Sequence, residues 1–382
     1  MANLFTANAR DPWWKTQDWI LNLSALSLSI LGSVLVWTAS APELELYSQS
    51  ETKLFVRQIG FLIVGLILAY IFSKAKYVLL RAYTPVLYVL GIIGLIVVLV
   101  PGVGVTVNGI QAWIGLPGGF TIQPAEFAKL TIVLGMSLVL SETQHRDEPP
   151  SFKQTIAAMA LALLPVALIM LQPDLGTSFI ILVTMFVMLI GAAVNARFLT
   201  SLAVLGSLGA IVLWLLPGVL AQWQKERLLV FLDPERDPTN FGYALLQVRL
   251  AIGSGGWDGF GLFNGPQTNG RFVPEQQTDY IFSAAGEQLG FIGSATIIAL
   301  LFVIVWRAIR IAINTTDAFA RITAVGLSGW IGFQAFQNIG MNLGIMPVTG
   351  VPLPFVSAGG TSMMALWIAI GLLQNVRNRH SE

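Results

Sequence analysis

The 382-residue chain has no cysteine, which removes disulfides, thiolate metal sites and cysteine nucleophiles from consideration. It has two histidines, His145 and His380, both in polar segments, so neither a histidine-built metal centre nor a Ser-His-Asp triad is expected. Charge is scarce too. Asp, Glu, Lys and Arg make up 11% of the chain, against about 25% in soluble domains, and the formal net charge is +1, which gives no field suited to nucleic acid. There is no GK[ST] phosphate loop: the glycines of IGSGGWDGFGLFNG (252–265) suit tight turns and do not point to an ATP-driven pump.

What the chain has in quantity is apolar sequence, 55% of all residues. Read against the ~20 apolar residues that cross a bilayer, it gives about ten spans: 19–41, 55–73, 85–101, 120–140, 155–171, 177–194, 198–219, 280–306, 321–345 and 354–376. The expected fold is an all-α polytopic membrane protein in one transmembrane domain. Helices 1–7 occupy 19–219, a long loop 220–279 and helices 8–10 280–376. Ala39, Ser40 and Ala41 resemble a signal-peptidase site. The apolar run before them exceeds the usual ~7–15 residues, however, and the leader carries Asp11 and Asp18, so 19–41 reads as an uncleaved first helix.

Lysine and arginine set the orientation. With the N-terminus in the cytoplasm, inside segments hold Arg10 and Lys15; Lys74, Lys76 and Arg81; Arg146 and Lys153; Arg197; Arg307 and Arg310; Arg377 and Arg379. The short outside loops hold only Lys53. Both termini are therefore expected in the cytoplasm and the 220–279 loop outside. A loop this long is functional or disordered, and its ALLQVRLAI stretch (244–252) suits an amphipathic helix at the interface.

Several polar clusters are candidates for chemistry. Asp279 stands at the lip of the eighth span. It is suited to cap the helix, or, if partly desolvated, to accept a proton. Glu275 lies just before it, and Glu287 two turns further on the same face. Glu126 and Lys129 share a face of the fourth span, as a structural ion pair or as part of a polar path. Trp113 in the preceding turn-rich loop suits a membrane anchor. Asp174, with Thr177, suits a helix cap. Arg227 and Arg236 sit in ERLLVFLDPERDP (226–238), a solvated cluster or a phosphate grip. The proline- and glycine-rich 338–362 segment joins the last two spans. Irregular backbone near a membrane is tolerated where it lines a cavity, and Asn338 and Ser357 are placed to face one.

Taken in order, QAWIGL, QPAEFAK, QPDLGT, FLDPERDP with GYALLQ, AIGSGG, FVPEQQTDYIF with GEQLGF, and NIGMNLGIMPVTGVPLPFVSAGG resemble the SEDS family (shape, elongation, division and sporulation) of peptidoglycan glycosyltransferases, nearly end to end. The resemblance implies about ten membrane helices with a large extracellular loop between the seventh and eighth, in the bacterial inner membrane. It implies polymerisation of lipid II and a class B penicillin-binding protein as partner, since this chain has no serine-lysine acyl-transfer motif. The family's essential aspartate falls on Asp279, its loop tryptophan on Trp113, and its Q-P-S-E-x-x-K motif on Gln123, Glu126 and Lys129. Inversion at the donor sugar needs one base, here Asp279, and positive charge for the leaving pyrophosphate: Arg227, Arg236, Arg271, Lys129 or a divalent cation such as Mg or Mn. The chain departs from the family at Gln277, where histidine is usual, at Gln111 and Ala112 in place of arginines, at Ala125 in place of serine, and at Ala358 in place of tyrosine. Thr349 before Gly350, and the FLDPERDP wording, favour the rod-shape branch over the division branch. A lipid II flippase and a non-catalytic scaffold for a transpeptidase are the competing readings.

Overall fold

The computed structural model describes residues 16–378 except 108, 118–119, 143–147, 217–221, 238 and 240. Arg10, Asp11, Lys15, His145, Arg146, Arg379 and His380 lie outside the described residues. The first seven long helices are α1 (Trp19–Leu46), α2 (Lys53–Lys74), α3 (Tyr77–Leu99), α4 (Pro124–Leu140), α5 (Phe152–Met170), α6 (Leu175–Gly191) and α7 (Ala196–Leu215). The loop segment contributes α8 (Gln222–Leu232), α9 (Phe241–Ser254) and the single turn α10 (Pro266–Asn269). The chain ends with α11 (Ile281–Asn314), α12 (Ala318–Leu343) and α13 (Gly360–Asn378). Each expected span meets one of these helices. Among the described residues, five are long and apolar enough to cross a membrane by length and composition: α1, α2, α3, α5 and α11. This is a mostly helical, multi-pass membrane protein.

Local sequence sets the helix starts. Asp18 accepts from Leu21 N at 3.1 Å, and Ser151 and Gln154 form a capping box on α5. Asp317 accepts from Ala320 N at 2.9 Å, and Gly344 ends α12 in the left-handed conformation (φ 72°). α2 and α3 turn Ile63, Ile67, Ile71, Val86, Val89 and Ile93 outward, a lipid-facing surface, while α4, α12 and α13 are mostly buried. Asp18 is itself buried, paired with Arg307 (2.5 Å) and Arg377 (2.9 Å), and ties the first helix to α11 and α13.

The chain is not wholly helical, which corrects the all-α expectation. Residues 104–122 form a three-stranded antiparallel sheet, β1 (Gly104–Val107), β2 (Ile110–Leu116) and β3 (Phe120–Ile122), with Val105 opposite Trp113 and Ile114 opposite Ile122. The span expected from 120 therefore begins as a strand, and its helix starts only at Pro124, a residue suited to a first turn. The apolar run 354–376 likewise misled: residues 345–359 are not helical, and α13 begins at Gly360.

The described part of the long loop is folded against the bundle. α9, which contains the ALLQVRLAI stretch, packs Ala244, Val248 and Ala251 against Val273, Tyr280 and Val348 in a small core of its own. A second contact breaks α11. Gly290 sits at φ 63°, ψ −160°, a conformation reserved for glycine, and the helix kinks there. The loop satisfies the backbone groups the kink frees: Phe260 N and Gly261 N donate to the carbonyls of Glu287 and Gln288 at 3.0 Å each, while Phe291 N and Ile292 N donate to Gly256 O and Trp257 O. Glu287 adds its side chain, accepting from Gln267 N (2.5 Å), Thr268 N (3.0 Å) and Thr268 Oγ1 (2.5 Å). Gly290→Ala should lower stability by at least ~1–3 kcal/mol, because backbone strain is joined by a Cβ 2.4 Å from Gly259 N, whereas Phe302→Ala on an exposed face should leave it nearly unchanged. Thermal unfolding in one detergent compares the two.

Candidate functional site

A cavity of about 400 Å³ opens where α2, the sheet, α4, the start of α6, residues 277–279 and the 350–362 segment converge. Trp113, Gln123, Glu126 and Asp279 of the expected site line it, together with Arg57, Gln58, Asp174 and Gln277. The two strands reach it through the alternation of their side chains. Trp113 faces this cavity while Ile114 faces an apolar groove on the other side, and Thr121 and Gln123 are likewise separated by Ile122.

Asp279 does not cap α11. The helix begins at Ile281, and its N-cap is Tyr280, which makes no side-chain cap bond. The backbone of 277–279 is instead held at three successive carbonyls. Gln277 O accepts from Ala358 N (2.9 Å), Thr278 O from Ser357 Oγ (2.5 Å), and Asp279 O from Asn338 Nδ2 (2.8 Å) and Asn342 Nδ2 (3.2 Å). Asn338 and Ser357 thus bond to the backbone next to the cavity and are not among its lining residues. The Asp279 carboxyl faces the cavity wall at Gly350, where an added Cβ would lie 3.2 Å from Oδ2. Loss of water pushes this carboxyl up to about 7, Glu275 adds to the rise, Arg227 opposes it, and Asp174 adds a smaller rise.

The neighbouring acids are held differently. Asp174 caps α6 through Thr177 N (2.9 Å) and approaches Gln123 Nε2 at 3.4 Å; burial raises its carboxyl, and the bonds to Thr177 oppose the rise. The cap reading of Asp174 and a place in the cavity wall are therefore both met. Glu126 is 2% exposed and pairs with Lys129 at 2.7 Å. Lys129 is buried behind it, bonded to Gln334 Oε1 at 3.0 Å, with its ammonium 4.8 Å from the Trp330 ring centre. It does not line the cavity.

The expected cations divide. Arg227, on α8, lies over the Phe241 ring (4.9 Å to its centre), and burial lowers its pKa while Tyr280, Asp279 and Asp174 raise it, so it is within electrostatic reach of the site. Arg271 is exposed at φ 54° and outside the cavity lining, as is Glu275 at φ 49°, whose carboxylate is 3.4 Å from Thr278 Oγ1. Arg236 lies in the short 3-10 turn Pro234–Arg236 and does not line the cavity. Sequence reasoning missed Arg57. It stands on α2 at the cavity, its guanidinium 4.8 Å from the Phe120 ring centre and 5.8 Å from that of Phe61. The signal was present, since an arginine inside an apolar span is a functional candidate on cost alone. Among the described residues, no group of three or more His, Asp or Glu side chains gathers closely enough to hold a metal ion.

Asn338 Nδ2 also donates to Val351 O at 2.7 Å. Asn338→Leu strips bonds from two carbonyls and should destabilise by ~1–3 kcal/mol, measured by thermal unfolding. Activity should fall further than the lost stability explains, because the Asp279 backbone is released.

The family profile described as Cell cycle protein (FtsW/RodA/SpoVE) matches residues 18–382. The chain is 36% identical to Stage V sporulation protein E of Bacillus subtilis over 361 residues, covering 94% of this chain and 96% of that protein. It is 32% identical to peptidoglycan glycosyltransferase MrdB of Escherichia coli K12 over 371 residues, 97% and 96% of the two chains. Among solved structures it resembles Thermus thermophilus rod shape determining protein RodA, with a TM-score of 0.69 at 28% identity over 96% of this chain and 98% of that one. It also resembles a chain from a study of how a peptidoglycan synthase complex coordinates polymerization and crosslinking, with a TM-score of 0.76 at 29% identity over 96% and 98%. The motifs, the helical architecture and these matches agree: the chain belongs to the FtsW/RodA/SpoVE family, the SEDS peptidoglycan glycosyltransferases.

Proposed function

We propose that this enzyme polymerises lipid II in cell-wall elongation, by inverting transfer with Asp279 as general base. The observation that carries the mechanism is the Asp279 carboxyl, uncapped, facing the cavity and pushed up to about 7. A base near the working pH is the best compromise between being ionised and being able to take a proton. The acceptor's 4-hydroxyl gives its proton to Asp279, and its oxygen forms the new bond to the donor's anomeric carbon from the face opposite the pyrophosphate. The old carbon–oxygen bond breaks, and its electron pair leaves on the phosphate. Arg57 is the cation best placed to hold that charge, because it lines the same cavity. Arg227 tunes the base, and Trp113 and Gln123 form the wall against which the sugar packs. A Mg or Mn ion carried in on phosphate oxygens would find the Asp174 and Asp279 carboxyls here and would supply further positive charge to the leaving group, though no group of three or more acids gathers among the described residues.

Ten spanning helices, both termini in the cytoplasm of an inner-membrane protein and the 220–279 loop outside make one consistent topology. Its support is the lysine and arginine bias, with Arg307 and Arg377 gathered on Asp18 at the start of α1 while the cavity is lined from the opposite ends of the bundle helices, at the starts of α2, α4 and α6. Thr349 before Gly350 and the FLDPERDP wording support the rod-shape branch. A class B penicillin-binding protein is the expected partner, because the chain lacks acyl-transfer residues of its own. The flippase reading needs polar groups spread through the membrane depth, whereas the cavity residues gather at one end of the helices.

Full-length protein in nanodiscs, supplied with lipid II and a catalytically dead transpeptidase, should make glycan polymer. Asp279→Asn should reduce the rate ~10²–10⁴-fold; a rate equal to the parent's would refute the mechanism. The rate should also fall as pH drops through about 7, since protonation removes the base. Arg227→Gln should move that acid limb upward, because Arg227 lowers the Asp279 pKa, and Glu275→Gln should move it downward, because Glu275 raises it. A pH–rate profile of each variant reads the two opposite signs.

A further inference from the structure

Among the described residues, a buried carboxylate oxygen on one cavity-lining side chain has no partner. Glu126 lines the cavity at 2% exposure, and its Oε1 accepts from Lys129 at 2.7 Å. Its Oε2 is buried and accepts no hydrogen bond from any described group. The network behind it is otherwise well bonded. Lys129 reaches Gln334 Oε1 at 3.0 Å, Trp330 Nε1 donates to the same oxygen at 2.7 Å, and Gln334 Nε2 donates to Pro352 O at 2.9 Å. A buried carboxylate oxygen accepts strongly and is costly to leave unmatched.

We propose that Glu126 Oε2 is the acceptor for a neutral N–H or O–H donor on the sugar of the lipid-linked substrate, and so fixes how that sugar sits against Asp279. This rests on the glycan-polymerase reading. The ligand chemistry follows from charge. Lys129 already balances Glu126, so the pair has no net charge with which to hold the pyrophosphate, and the carboxyls of Asp174 and Asp279 share the same wall. The anion belongs beside Arg57 and the uncharged sugar beside Glu126. Oε2 exposes less than 1 Å², so delivery needs a rotation of the carboxyl group, about a torsion that is broad in glutamate. The network behind Glu126 also reaches the cavity wall near the base. Gln334 carries the hydrogen-bonded chain to Pro352, which lines the cavity with Gly350 and Asp279.

Binding of lipid II and of inorganic pyrophosphate to full-length protein in nanodiscs tests this, with every variant built on Asp279→Asn to stop turnover. Glu126→Met with Lys129→Met removes the acceptor and its counter-charge together, an exchange buried ion pairs often tolerate. Lipid II affinity should drop about tenfold, the scale of one lost hydrogen bond to a charged group, with pyrophosphate affinity unchanged. Glu126→Gln then identifies the donor. Loss of lipid II affinity assigns an acyl-amide N–H, and retention assigns a hydroxyl, which accepts as readily as it donates. The proposal is overturned if the double variant keeps its lipid II affinity, or if lipid II and pyrophosphate weaken alike, which marks a general collapse of the cavity. Parent protein that binds lipid II without polymerising it would count against the polymerase reading alone.

Discussion

The structure depends on satisfying irregular backbone inside a membrane protein. Residues 345–359 run without helix between two helices, and every carbonyl they present to an apolar surround must find a donor. α12 supplies those donors from one face. Gln334 reaches Pro352 O, Gln337 reaches Pro347 O and Thr349 Oγ1, and Asn338 reaches Val351 O. These positions recur at three- and four-residue spacing, so the helix presents them as a ladder. Asn338 then bridges to Asp279 O, with Asn342 beside it, and Ser357 and Ala358 hold the two preceding residues. The crossing segment and residues 277–279 are therefore braced from one face of α12, with Asn338 bonded to both. The Asp279 side chain is left free to face the cavity because its backbone is held so completely.

The long loop contributes by the same rule applied to a helix. A kink at Gly290 frees two carbonyls and two N–H groups, and the 256–261 segment bonds all four. Glu287 reinforces the contact by accepting from the first turn of α10, where a carboxylate is favoured. The part of α11 before the kink, which follows directly from Asp279 and Tyr280, is thus positioned by the loop as well as by its neighbours in the bundle. Glu126 and Lys129 show how charge is tolerated nearby. An ion pair at 2.7 Å, backed by Gln334 and the Trp330 ring, brings no net charge, and its value lies in specifying geometry more than in stability.

Hydropathy made the helices legible, but it misread two stretches because it counts apolar residues without regard to shape. FTI (120–122) is apolar enough to extend a helix, yet it pairs with β2 through Ile114 and Ile122. PFVSA (354–358) is apolar too, yet Leu353 N and Thr278 O share the Ser357 hydroxyl in a turn. The aspartate at the helix lip was legible as a candidate, but its two readings, cap or proton acceptor, were separated only by the position of Tyr280 as N-cap. Asn338 and Ser357 were legible as residues near a cavity, though their bonds to the backbone of 278–279 were not, because those contacts span 59 and 79 residues. Arg57 was passed over because it sits in an otherwise apolar run, where its isolation is itself the signal.

Two demands on the site conflict, and the arrangement of charge resolves them. A leaving pyrophosphate wants nearby cations and helix N-termini, while a carboxylate base loses basicity beside either. Had Asp279 capped α11, the first-turn N–H groups would have held its pKa low. One residue of offset, with Tyr280 at the cap, removes that bond. Burial, Glu275 and Asp174 then raise the carboxyl, and Arg227 opposes them. Arg57 is stacked by Phe120 and Phe61 on α2's side of the cavity. On the proposed mechanism, positive charge would meet the phosphate on one wall of the cavity of about 400 Å³ while the base stands on another.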